Sequence, residues 1–444
     1  MRSVLSYAVE IRPLDFQIRD TVTIYRDAVS FLIDIVEKVW TGLSKLDGSL
    51  RRVNAAEHLI HTTKKNLAKY PDFDIRFHKF PNYLRRGAIS AAIGSVSSYH
   101  SNYQRWLDKG KNGNPPKLTL ERDLCPCFYR VDMFKGDLGS DEACIKVFVH
   151  NDWVWRPIRL KHTDMQFLRR YWTGVNCSAP VLERKRGKWS LRFTFTQTVK
   201  LSETPIEGQR ILSVDLGLNT DAVCTIMEAD GTILGRKFID FPGDKDRLSH
   251  ELNRLKKFQR MHGSHNSKSR WRRIRSLNEE LARKIGHAIA DLAAGALCDV
   301  IVFEHLDMKG KIRGRSKRQK IHLWRKNGIR HVAESRAHRF GLHVYHVNAR
   351  NTSRLAHDGS GYLSRDKNNH ALSVFKNGKP YNCDLSASYN IGARYFVREL
   401  LKPLPETARS QIWANVPGTE HRTSCTYHTL LQTADELCRL SVSA

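Results

Sequence analysis

The run ILSVDLGLNT, Ile211–Thr220, decides how the rest of the chain is read. Ile211-Leu212-Ser213-Val214 is short and apolar and is closed by a turn residue, Gly217, which is the pattern of a buried strand. The strand delivers Asp215 at its end. A carboxylate on a buried strand is costly unless something pairs it, and a metal ion is a common partner. Downstream, Ala222–Met227 and Thr232–Ile239 read as two more strands joined through Ala229-Asp230-Gly231. The Asp-Gly pair suits a tight hairpin turn, so Asp215 sits on the first strand of an antiparallel meander.

Two further acids stand at similar junctions. Asp299–Glu304, DVIVFE, is a second apolar run ending in an acid, and its Val300-Ile301-Val302-Phe303 middle is strongly strand-forming. Asn382–Arg394, NCDLSASYNIGAR, places Asp384 at a helix start, where Asp is a good N-cap. Taken singly, each acid is better read as a turn or capping residue. Three such acids in one basic chain reverse that balance. Far apart in sequence, they meet only if the fold gathers them around one sheet. Two-metal phosphodiester cleavage needs such a cluster, with carboxylates holding two divalent ions about 4 Å apart. Oxygen ligands suit Mg2+ or Mn2+.

VDLGLNT, VFEHL and CDLSASYNIGAR resemble the three RuvC motifs of TnpB, the transposon-encoded RNA-guided nuclease, and of the compact type V CRISPR effectors that share them. The resemblance covers Ile211–Glu399 and fades before it. It implies an α/β RNase H-like (RuvC) nuclease domain in which Asp215, Glu304 and Asp384 are the catalytic and metal-binding acids. It also implies an N-terminal β-barrel wedge domain interrupted by a helical recognition lobe. The cofactors implied are Mg2+ or Mn2+ and a guide RNA. The partners implied are that RNA, target double-stranded DNA and the displaced single strand.

Bulk properties agree with a nucleic-acid partner. The 444 residues suffice for two or more domains, and the net charge of +29 calls for a polyanion. No apolar run approaches the ~20 residues of a membrane span. The start, MRSVLSYAVEIRPL, lacks the apolar core of a signal peptide, and nine scattered cysteines fit reduced thiols in a cytosol, which the resemblance implies is prokaryotic.

In chain order, Ser3–Ile11 reads as a strand and Phe16–Trp106 as a helical bundle, its members Phe16–Trp40, Ala55–Leu67, Pro81–Arg86 and Ala91–Trp106. KGKNGNPPK, Lys109–Lys117, is a linker. Cys144–Val149, Trp155–Leu160 and Trp189–Thr198 then alternate as strands, the last in a basic hairpin. On the resemblance, residues 1–15 give the first wedge strand, 16–108 the lobe and 109–205 the rest of the wedge. Residues 206–349 and 383–402 form the nuclease domain, 350–382 an insert and 403–444 a partly helical tail. Within the nuclease part, Asp246–Leu297 reads as an antiparallel helix pair whose stripe of Leu281, Ile285, Ile289, Leu292 and Leu297 packs on the sheet.

Lys309–Arg339 is dense in cations against one acid, Glu334. Its first part carries Lys309, Lys311, Arg313, Arg315, Lys317 and Arg318 with two glycines, the composition of a mobile loop that holds a single strand by its phosphates. The resemblance places it as a lid over the acids. In Asn351–Asn382 TnpB proteins usually carry two Cys-x-x-Cys pairs that form a zinc ribbon, but this segment has no cysteine, so no zinc is expected. Asn377-Gly378 signals a metal-free β-hairpin instead, with Pro380 restricting its second arm to an edge. The resemblance makes Arg365, upstream of Asp384, a candidate phosphate contact, since some family members place a catalytic-site arginine near there; a plain surface arginine is the equal alternative. The sequence thus points to an RNA-guided DNA endonuclease. A structure-specific or transposon-associated nuclease without guide RNA, a guided DNA-binding regulator and an RNA-binding structural protein remain the rivals.

Overall fold

A computed structural model gives the fold. It describes every residue except 13–14, 130, 186, 264–266, 306–322, 367–368, 370, 422 and 443–444. The chain divides into two compact units, Arg2–Gln197, and Thr198–Ala444 together with Met1. Among the described residues no helix is long and apolar enough to cross a membrane.

In the first unit, alternating residues form β1 (Arg2–Arg12). The apolar stripe of α1 (Asp15–Lys38) buries Ala28, Val29, Leu32, Ile35 and Val36. Three short helices follow, α2 (Trp40–Leu43), α3 (Ser49–Ile60) and α4 (Asp72–Arg76). Then α5 (Asn82–Asp108) runs as one helix through Gly87 and packs along α1. Phe73, Phe77 and Phe80 form an edge-to-face cluster that continues to Phe31 and Trp153. The strands are β2 (Phe134–Lys135), β3 (Glu142–Val149), β4 (Asp152–Leu160), β5 (Asn176–Cys177), β6 (Val181–Lys185) and β7 (Lys188–Thr198). The basic hairpin is the β6–β7 pair. Between β4 and β5 lies α6 (His162–Trp172), which the sequence reading missed although Met165, Leu168 and Trp172 bury one helical face.

Among the described residues the expected barrel is not found. The sheet runs in the open order β2-β3-β4-β1-β7-β5, with β6 also on β7. Closure needs the last strand to pair with the first. Here the terminal strands β2 and β5 are two residues each, too short to carry such a ladder.

The second unit is a mixed five-stranded α/β sheet. Its strands are β8 (Arg210–Leu216), β9 (Ala222–Glu228), β10 (Ile233–Ile239), β11 (Val300–His305) and β12 (His343–Asn348), in the order β10-β9-β8-β11-β12. β8, β9 and β10 form the antiparallel meander, while β11 lies parallel to both β8 and β12. Helices cover both faces, which is why β8, apart from the buried Ser213, and β11 are apolar up to their acids. One face (Leu212, Val214, Ile301, Phe303) packs under α8 (Lys268–Gly295) and α9 (Lys326–Arg339). α7 (Pro242–His262) runs beside α8 as the expected helix pair. The α8 stripe is Leu281, Ile285, Ile289 and Ala293; Leu297 is 77 % exposed, because the helix has already ended and the chain turns there at φ 54°.

The other face (Ile211, Val223, Met227, Val300, Val302) packs under α10 (Cys383–Leu401). The tail is not peripheral. α11 (Glu406–Asn415) and α12 (Tyr427–Val442) contribute Ile412 and Leu430 to the α10 side of the core. Before α10, β13 (Ser364–Arg365), β14 (Leu372–Val374) and β15 (Pro380–Asn382) form a small antiparallel sheet. Its β14–β15 turn is Asn377-Gly378, with Gly378 at φ 81°, and Pro380 lies on the edge strand.

Candidate active site

Strand register builds the site. The parallel ladder of β8 and β11 sets Phe303 beside Val214, so one further step brings Glu304 alongside Asp215. Alternation then selects the face. Val214 and Phe303 point toward α8, so Asp215 and Glu304 point toward α10. Both are buried, at 8 % and 7 % exposure, and their carboxyls are close enough to shift each other's titration.

Asp384 lies in the first turn of α10, within electrostatic reach of Asp215. It is not the N-cap, as the sequence reading had it. Asn382 caps the helix, its side-chain oxygen accepting from the backbone N–H of Asp384 at 3.0 Å and of Leu385 at 2.9 Å. The Asp384 carboxylate is thereby spared from capping; the Cys383 thiol lies 3.3 Å from its Oδ1.

The electrostatics are those of crowded acids. Burial, then the charges of Glu304 and Asp384, push the Asp215 carboxyl well above its ordinary range, and Arg365 opposes them. Burial pushes Glu304 up as well, against the Thr352 hydroxyl that donates to it. Two buried carboxyls this close share a proton unless a cation takes its place. Among the described residues no three His, Cys, Asp or Glu side chains meet as a finished metal cage. Mg2+ does not require one, since it is usually held by one or two carboxylates, waters and substrate phosphates. The all-oxygen, charge-crowded set therefore fits a hard divalent cation.

Arg365 is exposed on β13. Its Nη2 donates to the Ser353 carbonyl at 3.3 Å, and its charge reaches Asp215 and Cys383. Lys309, Lys311, Arg313, Arg315, Lys317 and Arg318 lie outside the described residues. The sequence reading missed Thr352, whose Oγ1 is 3.1 Å from Glu304 Oε2, and the buried polar residues Ser386, Asn390 and Arg394 of α10. For the three helical residues the available signal was their spacing, one turn apart in a helix that is buried over most of its length.

A sequence profile of the Aq_aa04 family matches residues 6–149. No curated protein matches the chain by sequence. Among solved structures, the chain is similar to a Cas12f1–sgRNA–target DNA complex, at 14 % identity over 94 % of this chain and 81 % of that one, with a TM-score of 0.47. It is similar to the mini-RNA-guided endonuclease CRISPR-Cas_phi3, at 12 % identity over 90 % and 93 % of the two chains, TM-score 0.49. It is also similar to Alicyclobacillus acidoterrestris C2c1 in complex with single-guide RNA, at 11 % identity over 84 % and 69 %, TM-score 0.45.

Proposed function

We propose that this protein is an RNA-guided DNA endonuclease with an RNase H-like (RuvC) nuclease unit, acting in a prokaryotic cytosol. The observation that carries the reading is the Asp215–Glu304 pair, buried side by side on adjacent parallel strands, with Asp384 in reach from the helix above. A purely structural pair of buried like charges would be a liability, since each is held against burial and against its neighbour. A chain of net charge +29 supplies the polyanion-binding surface that a nuclease needs.

In this reading residues 1–205 hold guide RNA and the guide–target duplex, and residues 206–349 and 383–402 cut. Asp215, Glu304 and Asp384 hold Mg2+ or Mn2+, which when bound activates water and stabilises the leaving oxygen. The protein side chains do the rest. The two strand-borne carboxylates are fixed by the sheet, Arg365 offers its guanidinium to a phosphate near Asp215, and the cationic run from Lys309 to Arg318 guides the displaced strand.

The test is cleavage of a matched DNA target by the protein loaded with the RNA that copurifies with it. Asp215→Ala and Asp384→Ala are expected to abolish cutting while guide RNA and target binding stay near wild type. Cutting retained by either variant removes the nuclease assignment, and the absence of copurifying RNA removes the guide.

A further inference from the structure

The helix that carries Asp384 does a second job. Ser386, Asn390 and Arg394 are spaced one turn apart along α10, and all three are buried. Each grips the strand-to-insert segment 348–357, which runs antiparallel to the helix. Ser386 Oγ accepts from the His357 backbone N–H at 3.1 Å. Asn390 Nδ2 donates to the carbonyls of Thr352 at 3.0 Å and Leu355 at 2.9 Å, while its Oδ1 accepts from the Tyr427 N–H at 3.0 Å. Arg394 Nη1 donates to the carbonyls of Asn348 at 2.6 Å and Arg350 at 2.8 Å. In the middle of this seam stands Thr352, 1 % exposed, with Oγ1 3.1 Å from Glu304 Oε2.

We propose that Thr352 is a positioning residue for Glu304, aimed by the Ser386–Asn390–Arg394 seam, so that one helix sets both Asp384 directly and Glu304 through Thr352. The proposal rests on the nuclease reading above. A glutamate carboxyl has three side-chain torsions to lose, and a hydroxyl on one oxygen removes much of that freedom before a metal arrives. The competing account is local. Thr352 Oγ1 also lies 2.9 Å from the Ala349 carbonyl, and its one proton serves a single acceptor well. An ionised carboxylate is the stronger acceptor, so a charged Glu304 wins the proton.

Thr352→Val keeps the shape and removes the hydroxyl, and Thr352→Ser keeps the hydroxyl. Both full-length variants would be compared with wild type by single-turnover cleavage, by Mn2+ binding followed by electron paramagnetic resonance without nucleic acid, by guide RNA binding and by thermal melting. For T352V the expected result is cleavage slower, and Mn2+ binding weaker, by roughly tenfold or more, as lost supports of metal-ligating carboxylates produce. Guide RNA affinity is expected to hold, and T352S to match wild type. Wild-type cleavage and Mn2+ binding by T352V would show that the hydroxyl serves only Ala349. An equal loss in T352S would show that packing, not the hydroxyl, is at stake; either result overturns the proposal. If T352V melts too low to assay, T352S decides it, since a departure from wild-type Mn2+ affinity there also overturns it. Asp215→Ala in the same series separates the two levels, because its retained cutting would sink the nuclease reading itself.

Discussion

Arg394 is where the C-terminal tail meets the segment behind Glu304. Its guanidinium donates from Nη1 to the Asn348 and Arg350 carbonyls, from Nε to the Cys425 carbonyl at 3.2 Å and from Nη2 to the Thr423 carbonyl at 3.2 Å. Arg394→Met preserves the stem and deletes every donor. Asn348 and Arg350 are exposed residues whose carbonyls regain water. Cys425 is buried and Thr423 half-buried, so their carbonyls lose a partner that water does not readily replace. At about 1–3 kcal/mol for each buried group left unsatisfied, the cost is about 2–6 kcal/mol. In a unit of this size about 2–4 °C of melting temperature goes with each kcal/mol, which predicts a fall of roughly 5–20 °C. Arg394→Lys keeps the charge but offers three donors in place of the guanidinium fork, and is expected to fall between. The assay is thermal melting together with limited proteolysis, in which residues 416–426 of R394M become cut first. R394M melting with wild type, or an equally protected tail, would refute the view that Arg394 helps to tie the tail to the site.

Two further outcomes follow from packing and titration. Gly286 lets α8 approach α9, for a Cβ there would stand 2.8 Å from the Ile329 carbonyl oxygen and 2.9 Å from Val332 Cβ. Gly286→Ala is expected to cost about 1–3 kcal/mol, read as a lower urea midpoint; an unchanged midpoint would contradict the close approach. Burial among Phe375, Tyr381 and Tyr389 pushes His357 down to about 4. The unfolded chain then takes up the proton first as pH falls below about 6.5, so this stability is intact above that value and drains away toward pH 4. Urea midpoints measured at pH 7 and pH 4.5 are expected to draw together in His357→Phe relative to wild type, and an identical pH dependence in the two proteins would refute it.

The second unit was legible because its signals are local. Apolar runs that end in Asp215 and Glu304 announce strands, Asp230-Gly231 announces a hairpin, and Asn377-Gly378 announces another. What could not be read was set by long-range pairing. The strand order of the first unit depends on which edges β2 and β5 find, and nothing in two-residue strands encodes that. Asp384 was placed correctly at a helix start but given the wrong task, since Asp and Asn are near-equal caps and only three-dimensional structure shows that Asn382 takes the role. Thr352 was invisible for a similar reason. A threonine in a loop reads as solvent-facing until a buried helix face is known to hold that loop down.

The small sheet of β13, β14 and β15 has a practical consequence. Chain leaves the core at His357 and returns at Asn382, and these two ends are pinned almost together. His357 is bonded to Ser386, its ring centroid lies 4.6 Å from that of Tyr381, and Asn382 caps α10. Everything between is a closed excursion whose length matters little, since doubling a loop adds only about 0.6 kcal/mol of closure entropy. The stretch behaves as a socket. A longer hairpin or an engineered reporter domain could be inserted at its Asn377-Gly378 turn without displacing Arg365, Phe375 or Asp384, which makes that turn the natural point at which to graft new modules onto this scaffold.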